Sequence, residues 1–109
     1  MKILFDQGTP LPLRRALPEH TVESAYERGW SELQNGELIA AAEHAGFDVF
    51  ITTDRNLKYQ QNLANRKIAI VVLLSASWPR IQLVVAAIAQ AIAAATPGSY
   101  GEVTVAGAA

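Results

Sequence analysis

At 109 residues, with ten acids against nine lysines and arginines, the chain holds one domain and a net charge of −1, which excludes a global basic footprint for nucleic acid. It has no cysteine, which excludes disulfides, thiolate nucleophiles and cysteine-ligated zinc and fits a reducing cytoplasm. Half of its residues are apolar, enough to bury a core without covalent staples.

In chain order, Lys2–Asp6 reads as a strand: a short apolar run ended by an acid and a Gly8-Thr9-Pro10 turn. It is too short for the apolar part of a signal peptide, so no leader is expected. Pro10 or Pro12 suits the first turn of a short helix over Leu11–Leu17, closed by Pro18. His20–Ala25 is a second strand candidate, although Glu23 and Glu27 also suit a helix start. "NGELIAAAEHAG" predicts a helix with Asn35 as N-cap, Glu37 in the first turn and Gly46 at the end. "FDVFIT", Phe47–Thr52, predicts a strand, followed by Asp54. Arg55–Arg66 predicts a polar helix whose sparse apolar side is Leu57 and Leu63. Lys67–Leu74 is a continuous apolar run rich in β-branched residues, as expected of a parallel strand covered on both faces. Pro79 suits the start of a long helix through Ala95, which Pro97-Gly98 ends. Its apolar part, Ile81–Ala95, is shorter than the ~18 residues of a membrane span and carries Gln82 and Gln90, so we expect a soluble helix buried on more than one side and no membrane contact. Glu102–Val105 is a candidate edge strand, and residues 106–109 read as a frayed tail beyond a single domain, 1–105.

Strands alternating with helices predict an α/β fold around a mainly parallel sheet with right-handed crossovers. Such sheets bind ligands outside the carboxyl ends of their strands, where strand order reverses. Asp6 and Asp54 both follow strands at that end. With Glu37 they form a set of carboxylates that repel one another unless a divalent cation joins them. Mg²⁺ or Mn²⁺ suits such oxygen ligands and promotes phosphodiester hydrolysis. Each acid also has a purely structural reading: Asp6 as a turn residue, Glu37 as a favourable charge in a helix first turn, Asp54 as an N-cap before Arg55.

Taken together, "FDQGTPLPLRRAL", the "GEL" that opens a helix and "ITTDRNL" after a strand resemble the PIN-like domains, in particular a group of short bacterial members. The resemblance covers about residues 2–75. It implies a three-layer sandwich with a central, mainly parallel sheet of four to five strands. It further implies a cytoplasmic, Mg²⁺- or Mn²⁺-dependent ribonuclease, the toxin of a toxin–antitoxin pair, with RNA as substrate and an antitoxin protein as partner. Asp6, Glu37 and Asp54 would then be catalytic, metal-holding acids, with Asn56 as a further metal ligand. Arg14, Arg15, Arg55 and Lys58 would contact RNA phosphates if they border the crevice; a solvated helix face is the alternative. Gln7 stands where the short proteins commonly have an acid, and Asn56 where PIN nucleases usually offer one. Both differences favour a second reading, a PIN-like module that binds or regulates without catalysis.

One hydroxyl of Thr52 or Thr53 would orient a carboxylate or a metal-bound water, although strand propensity explains both threonines equally well, and Ser75 and Ser77 would line the crevice. His20 and His44 are isolated and are not expected to bind metal. Trp30 and Trp78 are expected to pack over the sheet edge. The amide-rich run Tyr59–Asn62 is an exposed face or a contact surface. The alanine-rich helix is either a tightly buried core helix or the contact of a homodimer.

Overall fold

The computed structural model describes residues 1–60, 63 and 65–105. Five strands form one all-parallel sheet: β1 (Lys2–Phe5), β2 (Thr21–Ser24), β3 (Val49–Thr52), β4 (Ala69–Leu73) and β5 (Tyr100–Val103), in spatial order β2-β1-β3-β4-β5. The α/β class and the predominantly parallel sheet agree with expectation. β3 and β4 are buried at every position, which explains their unbroken apolar sequence, whereas the edge strand β2 buries only Val22 and Ser24. β3 starts at Val49 rather than Phe47, and Phe47 and Asp48 just before it both contact Lys2. The Asp48 carboxylate accepts the Lys2 amide at 2.8 Å, and the Lys2 ammonium lies 4.4 Å from the Phe47 ring centre. The last strand spans Tyr100–Val103 instead of Glu102–Val105.

Alternate residues of each strand face opposite layers. Ile3, Phe5, Val49, Ile51, Val71 and Leu73 join one core. Leu4, Phe50, Ile70 and Val72 join the other. Helix α1 (Asn35–His44) and the start of α2 (Leu57–Gln60) cover the second core through Leu38, Ile39, Ala42 and Leu57. The 3-10 helix Leu11–Ala16, α3 (Trp78–Ile81) and α4 (Val85–Ala94) cover the first through Leu13, Ile81, Ile88 and Ile92. The expected helix over Leu11–Leu17 is thus a 3-10 helix. Of the expected polar helix Arg55–Arg66, α2 is the described part; Gln61, Asn62 and Ala64 lie outside the described residues, as does the 106–109 tail.

Two expectations are corrected here. Crossovers β2→β3, β3→β4 and β4→β5 all run in the same direction across the sheet, yet α1 and α2 lie on one face and α4 on the other. The final crossover therefore has the opposite hand to its predecessors, so uniform right-handedness does not hold. This departure lets α3 and α4 cover the face that the six-residue 3-10 helix would otherwise cover alone. The long helix is also neither continuous nor buried all round. Backbone angles of −121° and 23° at Val84 break it, after a 3-10 turn at Gln82–Val84. Ile81, Ile88 and Ile92 make one buried stripe, while Ala86, Ala87, Ala89, Ala93 and Ala94 face outward. Among the described residues no helix is long and apolar enough to cross a membrane.

Candidate functional site

From β1 the chain moves to β2 on one side and then back across to β3 on the other. Strand order reverses between β1 and β3, and at the carboxyl ends of these two strands a crevice is expected. Asp6 follows β1 directly, and its amide donates to Ile51 O of β3 at 3.1 Å. Asp54 lies two residues beyond β3. Both strand-end acids thus occupy the reversal point.

Their surroundings are polar and ordered. Asp6 Oδ1 accepts from the Thr9 amide at 3.0 Å and from Thr9 Oγ1 at 2.7 Å; Asp6 Oδ2 accepts from Thr52 Oγ1. Thr52 Oγ1 also accepts the Asp54 amide at 3.1 Å, so one hydroxyl joins the two acidic segments. The orienting role expected of Thr52 is therefore what its hydroxyl performs. Among the described residues the buried polar side chains are Thr9, Ser24 and Thr52, and two of the three bind Asp6. A buried hydroxyl without a partner is costly, so these two threonines are matched to the carboxylate they hold. Asp54 Oδ2 accepts from Asn35 Nδ2 at 2.7 Å, and Oδ1 from the Asn56 amide at 3.0 Å.

Asp6 lines two depressions. The smaller, of about 150 Å³, adds Gln7, Gly8, Trp30, Asn35 and Leu38. The larger, of about 700 Å³, adds Gly8, Leu11, Tyr26, Glu27 and Ala76. Gly8 sits where a Cβ would fall 2.6 Å from Thr53 Oγ1, so close approach of the loop to β3 requires glycine there. Ala76, between the two expected serines, reaches the crevice; Ser75 Oγ instead accepts the Ser77 amide at 3.0 Å.

The other expected site residues have different placements. Glu37 Oε1 accepts the Gln34 amide at 3.2 Å in a capping box, and Gln34 rather than Asn35 is the N-cap of α1. Among the described residues no group of three or more His, Asp or Glu side chains is arranged to hold a metal ion, so Asp6, Glu37 and Asp54 are not drawn into one three-acid cluster. Asn56 is exposed and meets Asp54 through its amide N–H. Arg14 grips Glu27 with both terminal nitrogens, at 3.2 and 2.6 Å. This contact, with the Ser24 amide, holds the Glu27 carboxyl below its ordinary range. Lys58 bonds Glu102 at 3.0 Å and lies 5.9 Å from the Tyr100 ring centre; Lys58 and then Tyr100 lower the Glu102 carboxyl. Arg15 and Arg55 are exposed.

Asn35 is the site residue that sequence reasoning misassigned. An Asn before a helical run signals a cap, and the same side chain one position into the helix is free to reach Asp54. Thr9 was legible only as a turn residue, and Tyr26 only as part of an ambiguous element. Trp30 packs edge-on against Phe47 with ring centres 6.2 Å apart, and Trp78 packs against the first core, in keeping with structural roles for both.

Comparison of the chain with protein-family models, with curated proteins and with solved structures finds no match.

Proposed function

We propose that this chain is a PIN-like, metal-dependent ribonuclease, the toxin of a toxin–antitoxin pair, with Asp6 and Asp54 as its essential acids. The observation that carries this reading is that both strand-end acids follow neighbouring strands at the reversal of strand order, with the Thr52 hydroxyl bonded to the Asp6 carboxylate and to the Asp54 backbone amide. Mg²⁺ is commonly held by one or two carboxylates, with waters and substrate phosphate completing its shell, and two acids with nearby amide groups fit that requirement. The bound ion would supply a more acidic water and offset the charge that builds on the phosphate. Thr9 and Thr52 fix the Asp6 carboxylate, and Asn35 fixes that of Asp54, as supporting groups do around cation sites. Arg15 and Arg55 are the exposed cations suited to RNA phosphates, since Arg14 and Lys58 already hold carboxylates. Glu37 acts here as a helix cap, and Asn56, whose backbone amide meets Asp54, would offer its side-chain oxygen as a further ligand.

A second reading, a PIN-like binding or regulatory module without catalysis, is favoured by one specific observation. Gln7, beside Asp6, donates its side-chain amide to Ser31 O at 3.0 Å and brings no second carboxylate to this end of the sheet.

Incubation of purified protein with single-stranded RNA and Mn²⁺, beside Asp6→Asn, separates the two. The nuclease reading expects cleavage that Asp6→Asn reduces by at least about 100-fold, the upper end of what even outer-shell changes cost a metal site. Equal cleavage by both proteins identifies a contaminant and overturns the reading. Absence of cleavage together with absence of Mn²⁺ binding by calorimetry selects the second.

A further inference from the structure

Tyr26 is the most exposed of the large apolar side chains among the described residues, at 77 %, and it lines the same depression as Asp6. Leu11, 47 % exposed, lines it too. An adjoining depression of about 380 Å³ shares Leu11 and Glu27 with the first and adds Arg14 and Arg15. The shared Leu11 and Glu27 join the two depressions into one trough, lined by Asp6, an exposed ring, an exposed aliphatic side chain and two arginines.

The charges along this trough are ordered. Asp6 stands at one end. Glu27 in the middle is neutralised by the two-pronged grip of Arg14. Arg15 is the exposed cation at the far end. A flat, uncharged group suits the middle, and an anion suits the arginine end. One nucleotide of a single strand has that sequence of parts, a neutral base beside a phosphate. Every base offers a π-face to an aromatic ring, whereas a duplex keeps its bases stacked inside.

We infer that Tyr26, with Leu11, is a stacking platform for one unpaired nucleobase of single-stranded RNA, whose neighbouring phosphate meets Arg15. The inference rests on the ribonuclease reading for the identity of the polymer, and it adds a base-contacting residue. Tyr26 is a binding residue here; the reacting phosphate would lie at the Asp6 end.

The test is fluorescence anisotropy in EDTA, where no metal-dependent cleavage occurs, with a labelled RNA ten-mer alone and annealed to its complement. Wild type is expected to bind the single strand more tightly than the duplex. Tyr26→Ala should weaken single-strand binding by about 10-fold, within the range for loss of one base–aromatic stack. Tyr26→Phe, which keeps the ring, should stay within about 2-fold of wild type by the same reasoning. Circular dichroism of each variant confirms the fold, which an exposed side chain should not disturb. Single-strand binding that is absent, matched by the duplex, or unchanged in Tyr26→Ala overturns the platform. If the wild type still cleaves RNA with Mn²⁺, the nuclease reading survives that failure. Tyr26-dependent binding without cleavage keeps the platform and overturns the nuclease reading instead.

Discussion

Thr52 joins Asp6, 46 positions before it, to the segment of Asp54, donating to the Asp6 carboxylate while accepting the Asp54 amide. Its side chain is wholly buried, so a substitute without a hydroxyl leaves two polar groups short of a partner. Thr52→Val is expected to lower stability by about 1–3 kcal/mol, read as an earlier urea midpoint at unchanged slope, while Thr52→Ser retains most of it. Gly8 tests the same crevice by volume. The 2.6 Å approach of an added Cβ to Thr53 Oγ1 meets a β-branched side chain with little freedom at χ1. Gly8→Ala should therefore cost about 1–3 kcal/mol. Thr53→Ala in the same chain should recover much of that loss, giving a clear coupling in a double-mutant cycle.

At the scale of elements, α4 shows how composition and burial part company. Its sequence is apolar on all sides, yet Ile88 and Ile92 face the sheet while Ala87 and Ala93 face outward. Ile88→Ala should cost about 2–5 kcal/mol, whereas Ala87→Lys or Ala93→Lys should stay within about 0.5 kcal/mol; thermal unfolding of the three variants checks both. The final crossover follows from the same need for cover. A six-residue 3-10 helix gives the first core little cover by itself, and α3 and α4 supply the rest by crossing on that face.

For the whole molecule, acid stability follows from carboxylates that the fold holds ionised. Glu43 joins α1 to the entry of β4. Burial raises its pKa, but hydrogen bonds from the Lys67 amide, Arg66 and the Ile68 amide outweigh this and lower it overall. Glu27 and Glu102 are lowered by Arg14 and Lys58 respectively. A carboxyl with a depressed folded pKa stabilises fully above its unfolded value, about 4.3 for glutamate, and loses that contribution as pH falls through the folded value. The unfolding midpoint should thus be flat from pH 8 to about 6 on the carboxylate side and fall below about pH 4.5. Glu43→Gln should cost about 1–3 kcal/mol at pH 7 and make the acid fall shallower, which denaturant titrations at several pH values measure.

That strands alternate with helices, and that acids follow two of the strands, are local matters, and the sequence by itself determined them. β-branched runs specify strands wherever both faces are covered, and a turn must follow where Asp6 and Asp54 stand. Only the tertiary structure decided which groups those acids meet. Thr52 reaches Asp6 because β1 and β3 are neighbours, and Asn35 reaches Asp54 because α1 begins one residue earlier than its cap signal suggested. Arg14 is spent on Glu27 for the same kind of reason, a partner 13 positions away brought close by the turn after β2. The hand of the last crossover was beyond local reading too. It depends on which face still lacks cover once every other element is placed, a property of the assembled sheet and of no single stretch of chain.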